Sequence, residues 1–200
     1  MVLDLLSWFV RQSTPSPVDD EELDARASEL ATRARSDTVT DAVLANTLER
    51  TAECLLTYIE DDEQPEFVLR GSTLLVSDED DSLTKKHPSR ELQVVISARR
   101  LLFVIGGRIA DHMLEVPLED IVEVYVDAET HRRFLIVEAD REGDVMTFFA
   151  DVTLTADPAD VRTGVEFVRT HRDRPAVDAD SGSDSDSNPD SDSDSDAGSL

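Results

Sequence analysis

The chain has 200 residues, with 45 acidic side chains against 19 basic, and a formal net charge of −26. Such a charge repels nucleic acid over long range, so no nucleic-acid partner is expected. Cys54 is the only cysteine, which excludes an internal disulfide, and no apolar run approaches the ~20 residues needed to span a bilayer.

Only two of the basic residues are lysines, Lys85 and Lys86. At roughly 1 M ionic strength charge repulsion is screened beyond about 3 Å, so a surface this acidic stays soluble in concentrated salt. The composition matches a cytoplasmic protein of a salt-accumulating halophile. An acidic interaction protein from elsewhere carries the same sign. The start, MVLDLLSWFVRQ, lacks a basic n-region and a small-residue cleavage site, so no signal peptide is expected.

Composition divides the chain at residues 1–12, 13–62, 63–172 and 173–200. In the first segment Asp4, Ser7 and Arg11 form one narrow polar stripe on an otherwise apolar short helix. Leu5, Trp8 and Phe9 are candidate contacts, either with a partner or the chain's own domain, or with a membrane interface. The polar face lacks the lysines and arginines that support the membrane alternative.

The second segment reads as helical. Ser16 and Pro17 suit an N-cap and a first helical position, with Asp19 and Asp20 placed for the helix dipole. Leu23, Ala27, Leu30 and Ala34 then recur at helical spacing. After a break at residues 36–40, Leu44, Leu48, Leu55 and Ile59 mark the face of a second helix that contains Cys54, read as a buried structural thiol. Pro65 discourages continuation.

From Glu66 the period changes to two. Strands are expected near 66–76, 91–97, 101–106, 108–116, 120–127, 133–139 and 144–151. Leu92, Val94 and Ile96 alternate with Gln93, Val95 and Ser97, and Val122, Val124 and Val126 alternate with Glu123 and Tyr125. The connections are short, as in an antiparallel meander, except for a loop at about 77–90, SDEDDSLTKKHPSR.

Gly106-Gly107 raises the question of a phosphate-cradling loop. A dinucleotide fingerprint needs G-x-G-x-x-G and a following helix. Here no third glycine follows and the next residues alternate, so the pair is read as a hairpin. DREGD (140–144) reads as a second. Asp157, Pro158 and Asp160 open a closing helix with Val161, Val165, Phe167 and Val168 on its apolar side. Arg162, Glu166 and Arg169 lie outside, and His171 and Arg172 suit its C-terminus. This helix is expected to plug the open mouth of the strands.

The run VVISARRLLFVIGG, the segment Pro117–Ile121, RFLIVEADREGDVMTFFA and the closing helix together resemble the bacterial and archaeal PH-like domains, including the YokE-like and GRAM-related groups. EQPEFVLRG (63–71) is similar to the lead-in of haloarchaeal members. The resemblance covers roughly residues 60–172. It implies an α+β fold: a seven-stranded antiparallel PH-like, partly open β-barrel, capped by the C-terminal helix and preceded by N-terminal helices. It also implies a binding or scaffolding module rather than an enzyme.

Phosphoinositide-binding members carry basic residues on their first two strands. Here the loop offers Lys85, Lys86, His87 and Arg90, but four carboxylates in SDEDD (77–81) precede them, so that recognition does not carry over. Lys85, Lys86, Arg90, Arg99 and Arg100 remain candidate contacts for an anion or headgroup. The alternative reading is a self-neutralising loop and local ion pairs for the two hairpin arginines. Four scattered histidines, no H-E-x-x-H and no G-x-S-x-G give no metal, cofactor or catalytic site.

From residue 173 the tail is rich in serine and aspartate and is expected to be disordered, because it cannot bury enough surface to offset ordering entropy of ~1–2 kcal/mol per residue. A calcium-loop reading fails, since position 12 counted from Asp178 is Pro189. Removing the eight aspartates of residues 175–200 leaves −18 on residues 1–174. The expected function is a non-enzymatic interaction module with a protein partner. The alternative is a peripheral membrane adaptor using residues 1–12 and the 77–90 loop.

Overall fold

A computed structural model describes residues 20–46, 53–78, 83–87, 91–107, 111–129 and 131–172. The segment 1–12, the capping residues Ser16 and Pro17, and the acidic tail lie outside the described residues. No described helix is long and apolar enough to cross a membrane.

The described residues form nine strands in two antiparallel sheets, with helices before and after. Sheet A runs in the order β1 (Pro65–Gly71), β4 (Leu92–Ser97), β5 (Arg100–Ile105) and β6 (His112–Pro117). Sheet B runs in the order β3 (Leu83–His87), β2 (Thr73–Asp78), β9 (Asp144–Asp151), β8 (Arg132–Arg141) and β7 (Ile121–Glu129). Two of these strands depart from the expected seven. The first apolar run breaks at Ser72 and passes from one sheet to the other, so it counts twice. The loop expected at 77–90 contains β3, which pairs with β2 across a bulge. Its sequence has no apolar alternation, so its partner strand decides its conformation.

The break at Ser72 has a steric cause. A Cβ on Gly71 would lie 1.7 Å from the Asp151 carbonyl oxygen, a contact only glycine avoids. The Ser72 amide then donates to that same carbonyl. Both glycine-containing connections join antiparallel neighbours. Ile105 pairs with His112 across residues 106–111, a longer connection than the expected Gly-Gly turn, and neither Gly106 nor Gly107 has positive φ; Arg141 pairs with Asp144 directly across Glu142-Gly143. Both residues of the second turn have positive φ, 59° and 94°, the geometry of a primed two-residue hairpin.

The inner faces of the sheets share one core. Phe103 of sheet A stacks on Phe148 of sheet B with ring centroids 5.6 Å apart. The closing helix α3 (Pro158–Arg172) inserts Val161, Val165, Phe167 and Val168 between them. Asp157 accepts from the Ala159 amide at its start. Gly164 lets the helix approach sheet A, where a Cβ would meet Ile96 at 2.8 Å.

The outer face of sheet A is also covered. Helices α1 (Asp20–Arg33) and α2 (Asp41–Ala45) and the 3-10 turn Leu55–Tyr58 bury Leu30, Leu44, Leu55, Leu56 and Ile59 against Val68, Val95, Leu102, Val104 and Met113. This is why β4 and β5 are apolar at nearly every position and buried throughout. The alternation of Leu92, Val94 and Ile96 with Gln93, Val95 and Ser97 suggests one buried face, but both faces of β4 and β5 are buried. The expected second helix is also corrected. Asn46 and Cys54 are both extended, and the apolar face runs through two short turns rather than one continuous helix. Cys54 is buried and free.

Strand edges are shielded by particular side chains. On β1, Val68 and Arg70 donate their amides to the hydroxyls of Thr38 and Thr155. On β7, the carbonyls of Val124 and Val122 accept from Arg169 and Arg172 of α3. Such contacts blunt edges that would otherwise template further strands.

Candidate functional site

The arginines singled out as anion contacts are committed to carboxylates. Arg100 follows the β4–β5 turn, and its side chain is 6 % exposed. Its guanidinium grips Glu63 with two bonds, from Nε to Oε1 at 2.9 Å and from a terminal nitrogen to Oε2 at 2.5 Å. A second terminal nitrogen reaches Glu115 at 2.8 Å, and the Tyr58 carbonyl accepts a further bond. Burial alone would raise the Glu63 pKa. The hydrogen bonds and charge of Arg100, with bonds from Ser97 and the Glu60 amide, outweigh it and hold that carboxyl below the usual range. Arg99 is half-exposed and pairs with Asp62 and Glu60.

An incoming anion at this corner meets carboxylates rather than a free guanidinium. The cluster fastens the N-terminal layer to sheet A, and Arg100 is closed to an external ligand. Lys85 and Lys86 fall on β3, but their side chains lie outside the described residues, as does Arg90. The candidate contacts Leu5, Trp8 and Phe9 also lie outside them.

A different surface emerges on sheet B. Its inner residues belong to the common core, so the alternate residues face outward. Cross-strand register aligns four of these in one row: Leu75 opposite Phe149, Phe149 opposite Ile136, and Ile136 opposite Tyr125. Leu75, Phe149 and Tyr125 are partly buried, and Phe134 flanks them on β8. Ile136 is 5 % exposed. Among the described residues it is the one buried apolar side chain that belongs to neither core.

The β7 end of the row is bordered by acid, while register continues its other end onto Lys86 of β3, opposite Leu75. Glu123 and Glu138 stand opposite each other two positions along, and Asp127 lies two positions the other way on β7. Among the described residues no lysine or arginine pairs with any of the three. Burial, then the charges of Glu138, Glu123 and Asp127, raise the pKa of the Tyr125 phenol, which places all three around it.

No family model and no curated protein matches the chain. Solved structures give distant likenesses. A chain of the 8S snRNP assembly intermediate is 13 % identical, with a TM-score of 0.39 over 61 % of this chain and 92 % of that one. A chain of the Vav1 exchange factor, described for the structural role of its PH and C1 domains, is 12 % identical, with a TM-score of 0.34 over 76 % of this chain and 33 % of that one. Likeness at this level assigns neither a fold family nor a function. The YokE-like and GRAM-related resemblance has no family-model match.

Sequence reading missed the sheet B row because its members are scattered over four strands from residue 75 to residue 149. The signal was nonetheless present. Leu75, Tyr125, Phe134, Ile136 and Phe149 are large and apolar at outward positions, where a solvated face calls for polar residues.

Proposed function

We propose that the chain is a non-enzymatic PH-like interaction module that binds a protein partner through the outer face of sheet B. One observation carries the reading. Sheet A is covered on both faces, whereas sheet B has an aligned, partly buried apolar row, Leu75–Phe149–Ile136–Tyr125, that belongs to neither hydrophobic core. Contiguous apolar surface outside a core marks interaction sites in folded chains. Two antiparallel sheets closed by a C-terminal helix agree with the PH-like resemblance, and two aromatic side chains in the row suit a binding hot spot.

The test compares proteins captured by the wild-type chain and by Tyr125→Ala/Phe149→Ala, with thermal melting confirming that the variant is folded. A partner retained by wild type, lost from the double variant and kept by a chain altered on the exposed face of α1 supports the reading. Equal capture by all three overturns it.

A further inference from the structure

We infer that the partner segment received by this face is a basic amphipathic helix, laid across the strands of sheet B; the inference rests on the proposed function above. Three observations select this occupant: the length of the row, the acid at its β7 end and the sign of the whole chain.

Strands lie about 4.8 Å apart, so Leu75 to Tyr125 spans about 14 Å. An α-helix rises 1.5 Å per residue, and about ten residues cover that length with an apolar side chain on each successive turn. The bordering positions are two residues along each strand, about 7 Å from the row. Side chains flanking the apolar stripe of a helix fall at that offset.

Charge then decides what those flanking residues are. Glu123 and Glu138 are directly opposed like charges, an arrangement that destabilises a sheet unless a cation sits between them. Neither has an ion-pair partner among the described residues, and Asp127 is exposed beside them. A lysine or arginine placed over Tyr125 meets the two glutamates and the aromatic ring together, uniting ion pairing with a cation–π contact. A second copy of this chain carries the same −26 and would approach against net repulsion. Nucleic acid and anionic membranes share that sign.

The probe is a synthetic 14-residue amphipathic peptide with a leucine stripe flanked by lysines. Matched peptides carry glutamine or glutamate in place of lysine. Affinities for the full chain are measured by calorimetry at about 0.15 M salt. The lysine peptide is expected to bind at least tenfold more tightly than the glutamine peptide. Glu123→Gln/Glu138→Gln removes that preference, while Glu21→Gln/Glu22→Gln/Asp24→Asn on the exposed face of α1 preserves it.

Loss of the preference in the α1 variant as well would mean diffuse attraction to an acidic chain, and overturns the inference. Equal binding of the lysine and glutamine peptides overturns it too, but leaves the interaction face standing. Binding that survives Tyr125→Ala/Phe149→Ala refutes both. A photo-crosslinker at position 149 that captures residues 1–12 of the same chain would show an internal occupant, and also overturns the inference.

Discussion

Replacing Glu63 with glutamine removes one charge from the junction between the N-terminal layer and sheet A. Glu63 is 3 % exposed and receives both bonds of the Arg100 fork, together with bonds from Ser97 and the Glu60 amide. Deleting one partner of a buried ion pair costs about 3–5 kcal/mol, because the other charge stays buried. Arg100 keeps Glu115 at 2.8 Å and the Tyr58 carbonyl, so the expected loss lies at the lower end, about 3 kcal/mol. That is roughly a 150-fold change in the folding equilibrium, or a fall in melting temperature of about 6–12 °C for a domain of this size.

Urea denaturation at pH 7 measures the loss, and its pH dependence identifies the cause. The folded-state pKa of Glu63 is depressed, so its contribution is complete above the unfolded value of about 4.3 and disappears as pH falls through the lower folded value. The stability gap between wild type and variant should therefore close below about pH 4. Replacing both partners, Glu63→Leu with Arg100→Met, should recover much of the loss, since an apolar pair of similar volume is commonly tolerated. A loss under about 1 kcal/mol, or a gap that persists unchanged into acid, would refute the assignment of the pair as the fastening of the N-terminal layer.

Three other substitutions probe the fold. Gly71→Ala forces a methyl into the Asp151 backbone and should destabilise the chain by more than about 3 kcal/mol, measured by the same urea titration. Glu142→Asn should stabilise the β8–β9 turn by up to about 1 kcal/mol, since asparagine tolerates the positive φ that glutamate adopts there. Gly143→Ala should destabilise it by about 1 kcal/mol although the space around it is open, and calorimetric melting reads both changes. A chain beginning at residue 61 uncovers Val68, Val95, Leu102, Val104 and Met113 together, so it should bind hydrophobic dyes and aggregate in light scattering. A monomeric truncated chain with an unchanged melting temperature would contradict the two-faced burial of sheet A.

Particular residues show where sequence was informative. The Val124 and Val126 positions, the Glu142-Gly143 hairpin and the Asp157-Pro158 helix start follow local rules, and the structure has each of them, whereas Val122 falls at a bulge and is 56 % exposed and the Gly106-Gly107 connection runs on to residue 111. β3 was invisible because charged Lys-Lys-His offers no pattern, and only pairing with β2 makes it a strand. Leu44, Leu55 and Ile59 were correctly read as buried, but apolar spacing cannot distinguish one helix from short turns on the same surface. Val95, Leu102 and Val104 signalled that something covers the second face of sheet A, without saying which segment does so. Ion pairing of Arg99 and Arg100 agrees with one of the two readings of the hairpin, but nothing in the neighbouring sequence announces Glu63 and Glu115 as the partners of Arg100. The sheet B row depends on register between strands far apart in the chain.

The covering of sheet A has a consequence for synthesis. Leu55, Leu56 and Ile59 leave the ribosome roughly fifty residues ahead of Leu102, Val104 and Met113, against which they pack. At 5–20 residues per second that interval lasts several seconds. During it the receiving face of sheet A is incomplete, with Val68 and then Val95 the members that emerge before Leu102. Chaperone occupancy on stalled nascent chains should therefore be highest before Met113 emerges and fall once β6 is complete.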